Sequence, residues 1–152
     1  MQLKASTIKT SVLFVLILSL QVTIALTLNA MDLDFGQEGS SLGEYPAVFK
    51  ILILVVIAPF FETALFNVLP IKLLQFLFKN KVLILLSASI VFSLIHYYSW
   101  AYMLMTYIGG VGLNMFYVLT EEKKGGIASF GWTTLLHSVY NLIGFLLIDI
   151  FE

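Results

Sequence analysis

The sequence contains no cysteine and no arginine, and only 11% of its 152 residues are charged. The absence of cysteine excludes disulfide bonds and thiolate metal sites. A soluble domain of this length usually carries about 25% charged residues, so the low charge indicates that lipid surrounds much of the chain. The net charge of −1 comes without any basic patch, which argues against nucleic-acid binding.

Apolar side chains make up 60% of the residues, more than one small core can bury. Five apolar segments are each long enough, at about 20 residues, to cross a bilayer as an α-helix. We therefore predict an all-α, polytopic transmembrane helix bundle with about five crossings and a single domain over residues 1–152. The segments lie at about 11–28, 47–69, 82–99, 101–119 and 127–151.

The distribution of lysines predicts the orientation of the bundle. Seven of the eight lysines precede the first segment or lie in the second-to-third and fourth-to-fifth connections. The positive-inside rule makes that side cytoplasmic, so we expect a multi-pass protein of the cell membrane with its N-terminus inside and its C-terminus outside. The connection at 33–47 is rich in glycine, serine and acidic residues and reads as a flexible outer loop. The first segment has a second interpretation, a cleaved signal peptide, although its apolar run is long for one.

Three ionisable side chains lie deep within the predicted helices, namely Glu62, His96 and His137. They fall on three different segments, and the other acidic residues all lie in connections or near the ends. Charged groups inside a membrane are costly and usually face the bundle interior, where they pair with one another. One such residue alone is more often a structural hydrogen bonder between helices. Three of them on three helices favour a functional site.

Neighbouring residues add groups to the same helix faces. Phe92 lies one turn before His96, and Asn141 lies one turn after His137, so each pair shares a face. Asn141 is suited to orient an imidazole or to donate a hydrogen bond to a developing oxyanion. Pro59, three residues before the glutamate, cannot donate an amide and is expected to open the helix locally.

Three short motifs resemble, in order, those of a known family. They are "APFFETALFN" with Glu62, "FSLIH" ending at His96, and "HSVYN" from His137 to Asn141. They resemble the motifs of the CPBP family of CAAX-processing and bacteriocin-processing intramembrane endopeptidases, which includes the type II CAAX prenyl endopeptidases. The resemblance covers about residues 47–144 and implies a membrane hydrolase that performs proteolysis on a membrane-associated peptide or protein.

The sequence departs from the family pattern at two positions. Where the pattern has a second glutamate and an arginine, this chain has Thr63 and Asn67. These two residues are one turn apart, so a neutral hydrogen-bonded pair between them would avoid the desolvation cost of a buried ion pair. The loss of both charges leaves an alternative open, a catalytically silent bacteriocin-immunity or membrane binding protein with the same fold.

The resemblance implies a role for each of four candidate catalytic residues. Glu62 would be the general base that activates a water for attack on a peptide carbonyl, and His96 would hold that water. His137 and Asn141 would stabilise the tetrahedral oxyanion. No cofactor is expected. A divalent metal such as zinc, bound by Glu62, His96 and His137, is an alternative, because two histidines and a carboxylate are ligand types of a catalytic zinc site. It is less favoured, because the sequence has no HExxH pair and a metal-bound Glu62 would leave no second embedded carboxylate as the base.

A small transporter or proton relay is a third interpretation, since relays are also built from embedded carboxylates and histidines. The sequence offers no inverted repeat and no matching pair of broken helices to support it. For the protease, the expected partners are the lipid bilayer and a peptide or protein substrate in or at the membrane. The glycines at 109, 110 and 112 would permit close helix contact.

The protease interpretation makes a geometric prediction. The four candidate residues should converge in one cavity between the second, third and fifth segments. Counted at ~1.5 Å per residue from the predicted inner ends, Glu62 lies about 12 Å deep and His96 about 21 Å. The predicted boundaries therefore place the two side chains at different levels.

Overall fold

The computed structural model of the protein describes residues 2–31 and 45–151, and every regular element among them is a helix. The all-helical part of the prediction is thus confirmed for these residues. Residues 33–44 of the predicted outer loop lie outside the described residues. The helices are α1 (Gln2–Ala30), α2 (Ala47–Leu77), α3 (Lys81–Leu94), α4 (Trp100–Lys124) and α5 (Gly126–Phe151).

Two helices of the described part, α2 and α4, are long and apolar enough to cross a membrane. Shorter apolar stretches lie at Lys9–Ile24 and Lys81–Leu94. These lengths and compositions are compatible with a membrane location, and the count of five crossings stays a prediction.

The α2 helix widens into π-helical turns at two places, each just before a proline. The segment Leu52–Ile57 precedes Pro59, and Thr63–Val68 precedes Pro70. Proline has no amide to donate and its ring collides with the carbonyl four residues earlier, and a π turn is one way in which a helix accommodates such a defect. Glu62 is the last residue of the α-helical segment between the two π turns.

The third helix ends earlier than predicted, so the prediction that His96 lies within a helix is wrong. The helix stops at Leu94, and His96 lies in the tight connection to α4, whose start is capped by the Ser99 side chain. The His96 amide donates to the Ser93 carbonyl at 3.0 Å, while its imidazole Nδ1 bonds the Phe92 carbonyl at 2.8 Å. In a continued α-helix the Phe92 carbonyl would accept from the His96 amide. Here it bonds the His96 side chain instead, so His96 caps the end of α3.

The expected difference in depth between the glutamate and the first histidine disappears, because α2 extends to Leu77, eight residues beyond the predicted end at 69. Glu62 lies fifteen residues before the end of α2 at Leu77, and His96 lies fifteen residues after the start of α3 at Lys81. At ~1.5 Å per residue, both lie about 22 Å from that end of the bundle. The revised helix ends therefore bring both side chains to one level.

Glycines on α4 allow the neighbouring helices to approach closely. A Cβ added at Gly110 would lie 3.0 Å from the Phe92 ring of α3, and one at Gly112 would lie 3.0 Å from Ile17 of α1. Phe92 and Ile17 are both buried in the core with Leu113 of α4. The close contact at Gly110 holds Phe92 against the two histidines, with ring centroids 4.8 Å from His96 and 5.6 Å from His137.

Candidate active site

A carboxylate meets two imidazoles in the interior of the bundle. Glu62 Oε2 lies 3.4 Å from His137 Nε2 and 3.7 Å from His96 Nε2. Both histidines are buried, and the Glu62 side chain keeps 23% of its surface exposed. The structure therefore brings together side chains from α2, α5 and the α3–α4 connection.

A cavity adjoins this cluster, and all four candidate residues, Glu62, His96, His137 and Asn141, line it. It offers about 60 Å³ to the centres of water-sized molecules. Because about 10–15 Å³ of such space holds one water, the cavity admits a few waters. The predicted convergence of the four residues in one cavity is thus observed, while their catalytic role stays a prediction.

The hydrogen bond of His96 to the backbone determines whether the ring nitrogen that faces Glu62 is a donor or an acceptor. The Phe92 carbonyl can only accept, so the proton of the bond belongs to Nδ1 of His96. In the neutral ring, Nε2 then presents a lone pair towards Glu62 Oε2, 3.7 Å away. Two acceptors at this separation are suited to share one molecule that carries two hydrogens, such as water.

Thr63 contacts His137, which the sequence did not predict. Thr63 Oγ1 lies 3.2 Å from His137 Nδ1, and the Asn67 amide donates to Asn114 Oδ1 at 2.9 Å. The expected pair between Thr63 and Asn67 is therefore absent from the described contacts, because each side chain has a partner on another helix. His137 consequently lies between two successive residues of α2, Glu62 and Thr63.

Asn67 begins a chain of buried polar side chains that joins three helices. Its amide bonds Asn114, whose own amide donates to Ser89 Oγ at 3.0 Å, and Ser89 donates to the Leu85 carbonyl at 2.7 Å. Asn67, Ser89 and Asn114 are fully buried. The position at which the family pattern has arginine thus links α2, α3 and α4 through neutral groups.

Asn141 compensates for a missing backbone donor beside the cavity. Its Nδ2 donates to the Leu54 carbonyl at 3.0 Å. In the π-helical turn the Ala58 amide bonds the Ile53 carbonyl, five residues earlier, so the next amide in this register would bond Leu54. That next residue is Pro59, which has no amide hydrogen. One amide hydrogen of Asn141 is therefore used structurally, and only the second remains for an oxyanion.

Gln21 of α1 also lines the cavity, and the sequence analysis missed it. It is buried, its Nε2 donates to the Gly109 carbonyl at 3.0 Å, and its Oε1 has no hydrogen-bond partner among the described residues. The signal that could have found it is a lone amide within the apolar run "LILSLQVTIAL". The first helix therefore contributes a polar group to the wall of the site.

Within the described residues, no group of three His, Asp or Glu side chains is arranged to hold a metal ion. Glu62, His96 and His137 meet around the cavity, yet they do not form such a set of ligands. The zinc alternative therefore gains no support from the geometry, and the expectation of a site without a cofactor stays a prediction.

An all-helical protein with one carboxylate and two imidazoles around an internal cavity has the components of a glutamate-dependent hydrolase site. Residues 44–143, more than half of the chain, match the family model described as type II CAAX prenyl endopeptidase Rce1-like. The chain belongs to this family, whose members are membrane-embedded proteases, and the resemblance seen in the sequence is confirmed. A search of the curated proteins finds no significant match, and a search of the solved structures finds none either.

Proposed function

We propose that the protein is an intramembrane endopeptidase of the CAAX-protease type that hydrolyses a membrane-associated peptide or protein. The observation that carries the proposal is the position of Glu62 Oε2, 3.4 Å from His137 Nε2 and 3.7 Å from His96 Nε2, at a cavity that admits water. Membership of a family of CAAX prenyl endopeptidases favours the same reaction.

In the proposed mechanism, a water between Glu62 and His96 donates one hydrogen to each of them. Its free lone pair attacks the carbonyl carbon of the peptide bond, while Glu62 takes a proton as general base. The tetrahedral oxyanion is stabilised by His137 and by the second amide hydrogen of Asn141. When the C–N bond breaks, Glu62 returns the proton to the leaving nitrogen, so the carboxylate is regenerated.

We also propose that the helices form a bundle of about five crossings in the cell membrane, with the N-terminus in the cytoplasm. Two helices of spanning length support this proposal. Large apolar side chains on the outer surface support it as well, since exposed apolar surface of this kind indicates contact with lipid. Among them are Val56, Phe61 and Ile90, which lie along the helices and are 54%, 55% and 50% exposed.

The replacement Glu62→Gln tests the proposed reaction. Glutamine keeps the shape of the side chain and its hydrogen bonds but cannot accept the proton, so hydrolysis should fall by at least about 100-fold. The full-length protein in lipid vesicles is assayed with a synthetic farnesylated peptide that ends in cysteine and three further residues. Comparative proteomics of membranes that contain either protein extends the assay to natural substrates.

Glu122→Gln is the matched control, because this exposed acid lies far along α4 at the lysine-rich end. It should leave hydrolysis unchanged, and both variants should fold as the unmodified protein does. Full processing by Glu62→Gln would rule out a catalytic base at this position. Loss of hydrolysis on addition of a chelator would favour the zinc alternative instead.

A second candidate function is a catalytically silent immunity or binding protein of the same fold. It is favoured by Thr63 and Asn67, which replace two charged groups of the family pattern. Under this alternative the protein would protect cells or bind a membrane partner without producing cleavage fragments. Glu62→Gln would then leave the protective effect intact.

A further inference from the structure

His137 is held at both ring nitrogens by two successive residues of α2. Thr63 Oγ1 lies 3.2 Å from Nδ1, and Glu62 Oε2 lies 3.4 Å from Nε2. Thr63 is the first residue of the second π-helical turn. A π turn contains more residues than an α turn, so successive side chains point in more similar directions. The widened turn therefore helps two neighbouring side chains to reach one imidazole.

The Thr63 hydroxyl has to act as the donor in its contact with the histidine. Thr63 is fully buried, and its bond to His137 is its one side-chain hydrogen bond in the described part of the chain. A hydroxyl carries one hydrogen, and a buried donor without an acceptor is unfavourable. Nδ1 of His137 must then accept, and the proton of the neutral ring lies on Nε2.

The other side of the ring leads to the same assignment. Nε2 of His137 faces Glu62 Oε2, and an ionised carboxylate only accepts. With the proton on Nε2, a donor faces an acceptor. With the proton on Nδ1, two acceptors would face each other and the Thr63 hydroxyl hydrogen would have no acceptor.

The two histidines of the site therefore have opposite tautomers. His96 donates from Nδ1 to the Phe92 carbonyl and turns an accepting Nε2 towards the carboxylate. His137 accepts at Nδ1 and turns a donating Nε2 towards the same carboxylate. One ring is thus suited to hold a water hydrogen and the other to donate to an oxygen that becomes negative.

We propose that Thr63 is a positioning residue that fixes His137 as the Nε2–H tautomer, so that a neutral imidazole donates into the cavity. An ionised glutamate at this position, as in the family pattern, could only accept from Nδ1, so donation from Nε2 as well would require a charged ring. Threonine achieves that donation without adding further charges beside Glu62, and each buried charge is costly in an apolar interior. The catalytic use of this hydrogen bond rests on the proposed function. The tautomer of His137 can be established whether or not the protein is active.

Nitrogen NMR on the full-length protein in lipid nanodiscs, labelled with ¹⁵N-histidine, tests the tautomers directly. The chain has only two histidines, so two ring systems are observed, and His96→Gln assigns them. We expect His96 to be protonated at Nδ1 alone and His137 at Nε2 alone. A proton on Nδ1 of His137 in the unmodified protein would overturn the inference, whatever the result of the Glu62→Gln assay.

Variants at position 63 test whether the hydroxyl is the cause. Thr63→Val keeps the shape but removes the donor, so we expect the Nδ1–H form of His137 to appear and kcat to fall about tenfold with little change in KM. Thr63→Ser should restore both the NMR signature and the rate. Thr63→Glu should put a proton on Nδ1. An unchanged His137 spectrum in both Thr63→Val and Thr63→Glu would contradict the inference.

Thr120→Val is the matched control for the loss of a buried hydroxyl. Thr120 is 2% exposed, and its hydroxyl donates to the Phe116 and Tyr117 carbonyls of its own helix. Its replacement should leave the His137 signals and the rate unchanged. If Thr120→Val moved the His137 signals as Thr63→Val does, the effect would be a general loosening of the bundle and the inference would be wrong.

Discussion

At the scale of single residues, neutral hydrogen bonds connect the interior of this bundle. Asn114 is the centre of a group that joins three helices, because it accepts from the Asn67 amide and donates to Ser89 Oγ. None of these three side chains contacts the carboxylate or the histidines in the described contacts. We therefore propose that these hydrogen-bonded side chains stabilise the bundle, whereas the Glu62 cluster carries the proposed chemistry.

Replacement of Asn114, at the centre of this group of hydrogen-bonded side chains, should destabilise the protein more than replacement of Ser89, at its end. Asn114→Ala removes two hydrogen bonds between helices, whereas Ser89→Ala removes one of these and a bond to the Leu85 carbonyl of its own helix. Interhelical hydrogen bonds in membrane proteins contribute about 0.6 kcal/mol on average and about 1.7 kcal/mol at most. We expect a loss of about 1–2 kcal/mol in the free energy of unfolding for Asn114→Ala and about half of that for Ser89→Ala.

Unfolding in mixed micelles with increasing denaturing detergent measures these losses. The specific hydrolytic rate of the folded fraction should stay within about twofold for both variants, since Glu62 and its partners are untouched. Equal losses of stability for the two variants would contradict the assignment of Asn114 as the centre of the chain.

At the scale of elements, the two prolines of α2 shape the helix that carries the carboxylate. Pro59 leaves the Leu54 carbonyl without a backbone donor, and Asn141 of α5 supplies one. The carbonyl of α2 that lacks a backbone donor thus forms a hydrogen bond with a side chain of α5. Because Asn141 also lines the cavity, this attachment sets the distance between α2 and α5 at the site.

The effects of replacing Pro59 and Asn141 on the free energy of unfolding should be coupled. Asn141→Ala removes the donor to Leu54, and Pro59→Ala returns a backbone amide that can replace it. We therefore expect Asn141→Ala to destabilise the Pro59→Ala protein less than it destabilises the unmodified one, by about 0.6 kcal/mol and up to about 1.7 kcal/mol. A double-mutant cycle on the free energy of unfolding measures the difference.

Pro70→Ala combined with Asn141→Ala is the control cycle. Pro70 follows the other π turn of α2, and within the described residues Asn141 makes no hydrogen bond to that turn. The two changes should be additive within about 0.5 kcal/mol. If the Pro59 cycle were equally additive, the compensation by Asn141 would be absent in the membrane.

At the scale of the whole molecule, lysine side chains from different helices lie at one end of the bundle. Lys72 of α2 pairs with Glu121 at 2.5 Å, and Lys81 of α3 pairs with Glu122. The end of α2, the start of α3 and the end of α4 therefore lie at one level, as the lysine distribution predicted. The Lys72–Glu121 pair is partly buried, whereas the Lys81–Glu122 pair is exposed. Exposed pairs contribute little to stability, and both pairs mark the side proposed to face the cytoplasm.

Labelling of introduced cysteines tests this orientation, and the lack of native cysteine removes the background. A membrane-impermeant maleimide should label Ser40→Cys and Glu152→Cys in intact cells, because both positions are predicted to lie outside. Lys123→Cys should react only after the membrane is permeabilised. Labelling of Lys123→Cys in intact cells, or protection of Ser40→Cys, would overturn the predicted orientation.

The sequence by itself indicated the helical class, the family and the three ionisable side chains of the site. Composition and segment length indicate helices in lipid, because the backbone must satisfy its own hydrogen bonds there. Rare ionisable groups in apolar segments are conspicuous for the same reason: such groups need partners inside the bundle. Glu62, His96 and His137 could therefore be selected without coordinates.

Only the tertiary structure decided where the helices end and which polar groups meet. The early end of α3 depends on the His96 side chain bonding the Phe92 carbonyl, and the contact of Thr63 with His137 depends on how α2 packs against α5. Spacing along one helix predicted a pair between Thr63 and Asn67, but each has a partner on another helix. The sequence determined which groups needed partners, and the packing of the helices decided the partners, because hydrogen bonds between helices depend on distances that no single segment contains.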